Sequence, residues 1–327
     1  MRITQSQITR RYVSNTNSSL VNMDKIRNRI LTQRKFLRAS EDSIGGAKAL
    51  IIRRSLAKAE MHLDNLATAE GIFSTAESAL MNISSIAITA TDSVLQGANG
   101  TQGQEEKDII ATQLENLAGQ MVSQINMDYA GRTLMGGTNT TTSPYDYNTE
   151  TGLVTYNGAD INSFSSAEDF PFSLPVYSDV GMGIKFDADG NVDSQTVLDI
   201  SLNGADILGC GTDTDGDPLN LIALTASAAT ALREGDNTKA YSLIDKIRDA
   251  TSTLTIAITD LGNKQQSVKY TQGRVKDNVY NLQVAQKSVE GIDETEEITQ
   301  FKIADSAYNA ILAMGSKVIP RSIFDFM

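Results

Sequence analysis

The sequence predicts a mainly α-helical protein with a β-rich insertion, its N- and C-terminal regions forming a long antiparallel helical bundle or coiled coil. Three observations predict it. Apolar residues recur every seven positions over long stretches at both ends, four of the five prolines fall between 144 and 218, and short alternating runs replace the helical period there. A chain of 327 residues has room for about two domains. Trp is absent and other aromatics are few, so extended interfaces must rest on Leu, Ile, Val, Met and Ala.

The first part, 1–138, reads as helix. Its opening is weakly patterned, through Ile3, Ile8, Tyr12, Leu20, Met23, Ile26 and Ile30, and breaks at Ser40–Gly46. Asp42 or Ser43 can cap the next helix. From Ala47 to about Gln96 the seam is sustained, with Leu66, Phe73, Leu80, Ala87 and Val94 seven residues apart and Ala69, Ala76, Ile83 and Ala90 on the companion track. Such a helix would run roughly 75 Å at 1.5 Å per residue. Glycines 97, 100 and 103 end it, and a second helix with Ile110, Leu114, Leu117, Met121 and Ile125 in register is expected to reach about Arg132 as its antiparallel neighbour.

In the middle, 139–218, the runs Leu153–Tyr156, Met182–Phe186 and Val197–Leu202 read as strands. Two lead into Asn-Gly, at Asn157-Gly158 and Asn203-Gly204, the pair preferred in tight hairpin turns where both central residues take positive φ. The pentapeptide NGADI occurs at both places, either as a repeated hairpin unit or as turn chemistry recurring by chance.

Helix returns after Asp217-Pro218, read as a cap and a first-turn proline for a helix through Leu221, Leu224, Ala228 and Leu232. After Gly235 comes the clearest signal. Ile247, Leu254, Leu261, Val268, Val275, Leu282 and Val289 occupy seven successive heptad positions, and Thr251, Gln265 and Gln272 interrupt the second track where a polar residue can fix register. A bend at Gly291–Asp293 precedes an amphipathic tail through Phe301, Ile303, Ala307, Ile311, Met314 and Val318, closed by Pro320 and the apolar Phe324 and Phe326.

The net charge of −12 is uneven. Residues 1–60 hold thirteen Lys/Arg against four acids, whereas 140–225 hold fourteen acids against Lys185 alone. The basic residues of the N-terminus interleave with apolar helix positions, which favours a solvated or partner-facing helix over a nucleic-acid site. No run approaches the ~20 apolar residues of a membrane span, and the first twenty residues lack the apolar core of a signal peptide.

Chemistry finds no foothold. His62 stands alone on the long helix with no ligand cluster near it, so it is read as a solvated or half-buried helix position. Cys210 has neither a base nor an orienting partner close in sequence. The turns at 187–191 and 213–217 space acids like calcium loops but carry Gly at the wrong position and Leu198 and Leu224 where a bidentate Glu is needed, so turn chemistry is the better reading. No cofactor, metal or catalytic residue is assigned, and the chain reads as a structural subunit rather than an enzyme.

The N-terminal MRIT, the block Ala39–Lys48 (ASEDSIGGAK), Gly131–Thr142 (GRTLMGGTNTTT), the C-terminal Ala307-Tyr308 with Lys317-Val318, and the ending RSIFDFM resemble the bacterial flagellin superfamily. Within it, GGTNTTT and SIFDF are closer to hook–filament junction proteins than to filament flagellin. Glu41 stands where flagellins commonly carry the first of two Asp, which keeps the charge. The resemblance covers both helical ends and is silent in the middle. It implies a hairpin-shaped subunit in which 1–40 and 292–327 form a terminal coiled-coil assembly domain, 41–138 and 219–291 a helical rod, and 139–218 a β-rich domain projecting outward. It further implies secretion through the flagellar type III export apparatus with an export chaperone, to an extracellular place on the flagellum. The implied partners are copies of itself, hook-associated protein 1 and flagellin.

The assembly interface is accordingly assigned to Ile3, Ile8, Tyr12, Leu20, Met23, Ile303, Ala307, Ile311, Met314, Val318, Phe324 and Phe326. The intrachain rod seam is assigned to Leu66, Phe73, Leu80, Val94, Ile247, Leu254, Leu261, Val268, Val275 and Leu282. Filament flagellin is the alternative in the same class, and a glycan- or cation-binding module displayed on a helical stalk is the alternative of another class.

Overall fold

The computed structural model describes residues 5–100, 102–148, 151–163, 166–170, 172–181, 183–187, 192–193 and 197–318. The chain forms two compact units, one of residues 1–60 with 277–327 and one of 61–276, and both are mainly helical. Among the described residues no helix is long and apolar enough to cross a membrane.

The first unit contains α1 (Gln5–Thr32), the start of α2 (Ser43–Ala98), the end of α6 (Asn237–Glu290) and α7 (Glu294–Val318). Asp42 caps α2, its Oδ1 accepting from the Ile44 and Gly45 amides. Asp293 caps α7 in the same way, accepting from Thr295 and Glu296. Helix α1 packs on α7, and the Arg29–Glu297 ion pair near one end and Tyr12 against Gly315 near the other make the pair antiparallel.

Glu290 holds the bend between α6 and α7 to the α1–α2 linker. Its buried carboxylate takes a bidentate pair from Arg53 at 2.7 and 2.6 Å, with Arg34 at 3.9 Å, and its carbonyl accepts from the Lys35 amide. The Arg53 guanidinium, chiefly by hydrogen bonding, holds this carboxyl below the usual glutamate range. A depressed folded value stabilises above the unfolded value and is lost as pH falls through the folded one. Thermal unfolding of wild type should therefore stay flat from pH 7 to about 5 and lose stability below about 4. Glu290→Gln should cost about 1–3 kcal/mol at pH 7, at the modest end because Arg53 is itself half-exposed, and should flatten the acid limb. Circular-dichroism melts between pH 7 and 3 check both expectations.

The second unit is built on the rest of α2 and α6, on α3 (Gln104–Ile125) and on α5 (Leu221–Arg233). Gln272 donates to Glu70 and Gln265 to Glu77, so a step of seven forward on α2 is a step of seven back on α6. That register is an antiparallel heptad pairing, and the two glutamines are polar locks within it. Leu66, Phe73, Leu80, Val94, Ile247, Leu254, Leu261, Val268 and Val275 are buried, and only Leu282, in the first unit, is half-buried. Each fully buried Leu, Ile or Phe is worth roughly 1.5–3 kcal/mol of transfer free energy. Helix α3 packs on α5, with Arg233 bidentate on Glu115 and the buried Lys107 ammonium donating to Asn237.

The insertion carries strands, but short ones. Among the described residues three antiparallel sheets form: β1 (Asp128–Tyr129) with β2 (Arg132–Thr133), just before the insertion; β3 (Tyr145–Tyr147), β4 (Val154–Tyr156) and β5 (Ala159–Asp160) in that order; and β6 (Tyr177–Ser178) with β7 (Leu198–Asp199). Five local expectations are corrected. Helix α3 stops at Ile125 instead of about Arg132, because Asn126 turns its side chain to the Tyr145 backbone and Ala130-Gly131, both at positive φ, close a hairpin. Among the described residues the run to Phe186 makes only an isolated bridge, Phe186 to Val192, and Val197–Leu202 contributes two strand residues.

The fourth correction concerns the repeated pentapeptide. Asn157-Gly158 is the expected turn, with φ of 50° and 82°. Asn203-Gly204 is not: Asn203, at φ −97°, caps the helix α4 (Gly204–Leu208) by accepting from Ala205. A Cβ on Gly204 would lie 2.7 Å from the Tyr145 ring, so packing rather than turn geometry demands glycine there. Finally, α5 is capped by Asn220 rather than Asp217, and Pro218 lies before the helix in a bridge with Thr212.

Candidate functional site

Helix α1 presents a half-buried or buried stripe of Thr9, Tyr12, Thr16, Ser19, Met23, Ile26 and Ile30, spaced alternately three and four apart, with Asn28 and Arg29 half-buried beside its last turn. Helix α7 answers with Glu297, Phe301, Ala304, Tyr308, Ile311 and Gly315 in the same alternation. These are the two seams of a two-stranded coiled coil. At its far end a Cβ on Gly315 would sit 2.1 Å from the Tyr12 hydroxyl, so only glycine lets the ring lie across α7.

This pairing divides the residues assigned to assembly. Tyr12, Met23 and Ile311 face the intrachain seam, whereas Ile8, Leu20, Ile303, Ala307 and Met314 are exposed, Ile303 by 64% and Met314 by 56%. Val13, Val21 and Leu31 on α1 and Leu312 on α7 join the exposed apolar set. Leu20, Val21, Met23 and Phe301 also line a groove of about 600 Å³. Ile3, Phe324 and Phe326 lie outside the described residues, as does the side chain of Val318. Apolar periodicity missed Thr9, Thr16 and Ser19 because their place in the seam depends on small size, and it missed Gly315 because a glycine carries no apolar signal.

The groups considered for chemistry have structural surroundings. His62 is buried rather than half-buried or solvated, its Nδ1 3.2 Å from the Asp179 carbonyl and its ring against Gly181. Beside it Asn65 donates to the same carbonyl, so the two side chains fasten the 179–181 loop to α2. Burial, together with Asp206 and Asp169, pushes the Cys210 thiol up, away from thiolate chemistry. The acidic turn at 213–217 is occupied by an ammonium of the protein itself. Lys246 Nζ lies 2.5 Å from Asp213, 2.7 Å from Asp217 and 3.5 Å from Asp215, and its hydrogen bond holds the Asp213 carboxyl below the usual range. The core of the other acidic turn, 188–191, lies outside the described residues.

Residues 3–140 match the family described as the bacterial flagellin N-terminal helical region. The chain resembles the hook-associated branch of the flagellin superfamily. Over 147 residues it is 23% identical to flagellar hook-associated protein 3 of Salmonella typhimurium (strain LT2), an alignment covering 45% of this chain and 46% of that relative. The match thus spans under half the length of the curated relative.

Its fold is similar to a solved flagellar hook-associated protein from Vibrio parahaemolyticus, with a TM-score of 0.60 at 19% identity, covering 77% of this chain and 100% of the other. It is also similar to flagellar hook-associated protein 3 from Legionella pneumophila, with a TM-score of 0.55 at 12% identity, covering 73% and 98%. Long terminal helices around a small strand-bearing centre are the architecture in common.

Proposed function

We propose that this chain is a structural, non-enzymatic subunit of the bacterial flagellum that joins the hook to the flagellin filament by self-association into a ring-like helical layer. The observation that carries the reading is the α1–α7 coiled coil with its exposed apolar residues. A pair of amphipathic helices that has already satisfied its mutual seam and still exposes Leu20, Val21, Leu31, Ile303 and Met314 fits a further helix on its outer side. The likeness to hook-associated proteins supports the hook–filament joint as its place. On this reading 1–40 with 292–327 is the assembly domain, 41–138 with 219–291 the rod and 139–218 the outer domain. Further copies, hook-associated protein 1 and flagellin are the assembly partners. An export chaperone and the type III apparatus deliver the chain to the cell exterior.

The test is a count of subunits. Purified protein added to isolated hook–basal bodies should saturate at about one helical turn of copies, read by quantitative labelling. Growth without limit would make it a filament flagellin instead, and absence of binding to hooks would remove the junction role.

A further inference from the structure

One concavity of the second unit stands apart from the helical seams. A cleft of about 550 Å³ is lined by Thr138, Asn139, Thr140, Thr141, Thr142, Ser143, Asn157, Gly158 and Phe172. Every polar group on this wall is a hydroxyl, an amide or backbone. Among the described residues no acid, base or histidine lines it, although the surrounding stretch 140–225 carries fourteen acids and one lysine.

The wall is organised by the chain itself. Asn139 Oδ1 accepts from the Thr141 and Thr142 amides and from the Thr142 hydroxyl. Its Nδ2 donates to Thr142 Oγ1 and Asn157 Oδ1 at 2.7 and 3.0 Å. The segment therefore holds its backbone turn and the Thr142 hydroxyl in place without a ligand, which lowers the ordering cost of binding one.

Phe172 supplies the other half. Its φ is 67°, a left-handed conformation that a bulky residue rarely adopts, and its ring is exposed by 53%. The backbone is pinned there because its carbonyl accepts from both the Thr138 amide and the Thr138 hydroxyl, and Gly137 permits that approach, since a Cβ there would lie 2.1 Å from the same oxygen. Thr138 accounts for the strained backbone, but not for the display of a large apolar ring at the surface, which binding a ligand does account for.

A neutral pyranose has one apolar C–H face and a rim of hydroxyls that both donate and accept. An exposed ring beside a charge-free wall of hydroxyls and amides matches it in chemistry and in size. We propose that this cleft binds a neutral saccharide, with the Phe172 ring against a sugar face and the threonine hydroxyls and Asn157 amide on its rim. The proposal rests on the cleft alone and is independent of the junction role.

Phe172→Gly gives a clean test, since glycine accepts the positive φ and the ring supports no core. The full chain is titrated by calorimetry with trisaccharides of glucose, mannose, galactose and N-acetylglucosamine, and with sialylated and sulfated counterparts. At least one neutral trisaccharide should bind. Phe172→Gly should weaken it tenfold or more with Tm unchanged or raised, and Thr141→Val should weaken it severalfold. No binding of any neutral sugar at millimolar concentration overturns the proposal, as does preference for the acidic sugars or binding unaffected by Phe172→Gly.

Discussion

Deletion of residues 301–327 is expected to leave the cooperative unfolding of 61–276 in place, to melt α1, and to abolish incorporation into flagella. The deletion removes Phe301, Ala304, Tyr308, Ile311 and Gly315, all of the α7 seam beyond Glu297. What faces them on α1 is Tyr12, Met23, Ile26 and Ile30 separated by Thr9, Thr16 and Ser19, a stripe too polar to hold a 28-residue helix by itself in water. Helical signal should fall by more than the deleted residues account for, by about the length of α1.

The second unit loses nothing by the deletion, since its seam runs through Phe73, Leu80, Leu254 and Leu261 and its register through Gln265 and Gln272. Its thermal transition should persist within a few degrees. Complementation of a strain lacking this chain, scored by swimming and by labelled protein on isolated flagella, reads the assembly arm. Normal incorporation of the truncated chain would remove the terminal coiled coil from the interface.

Legibility in the sequence follows from how each element is held. The α2 and α6 seams are apolar at seven-residue spacing and buried along nearly all of their length, so period alone finds them. The α1–α7 pair is harder, because three of its seven α1 positions are Thr or Ser and one α7 position is glycine. Pattern reading therefore assigned Tyr12, Met23 and Ile311 to neighbours when they pack within the chain. The insertion is harder still, for its strands have two or three residues each and leave no room for alternation to show. NGADI makes the limit plain: one copy turns a hairpin and the other starts a helix, and the choice is made by Tyr156, Tyr145 and Met135 around Asn203 and Gly204. The saccharide cleft was invisible because a Thr-rich loop and a Phe thirty residues on carry no joint signature.

Tyr156 should be the most sensitive residue of the insertion, with Tyr156→Ala costing about 3–5 kcal/mol of the stability of that region. It is fully buried, packs at 5.0 Å on Tyr145 and edge-on at 5.4 Å on Phe170, and places its hydroxyl 2.9 Å from both the Met135 carbonyl and Asn203 Oδ1. Burial pushes that hydroxyl up to about 12, so it remains a donor through neutral pH. Alanine removes the ring at the centre of the aromatic cluster and also loosens Asn203, whose Oδ1 caps α4. Tyr156→Phe keeps the cluster and loses only the hydroxyl, at about 1–2 kcal/mol.

Denaturant titration of the two variants, followed by hydrogen exchange, separates local from global melting. The alanine variant should open 139–218 while α2, α3, α5 and α6 stay protected, because the two sheets described there, one of three and one of two short strands, are too small to stand without the cluster. Equal losses for Ala and Phe would mean that the hydroxyl and not the ring holds the insertion. A loss spread evenly over helices and strands would mean that the insertion and the helices of the second unit unfold as one body.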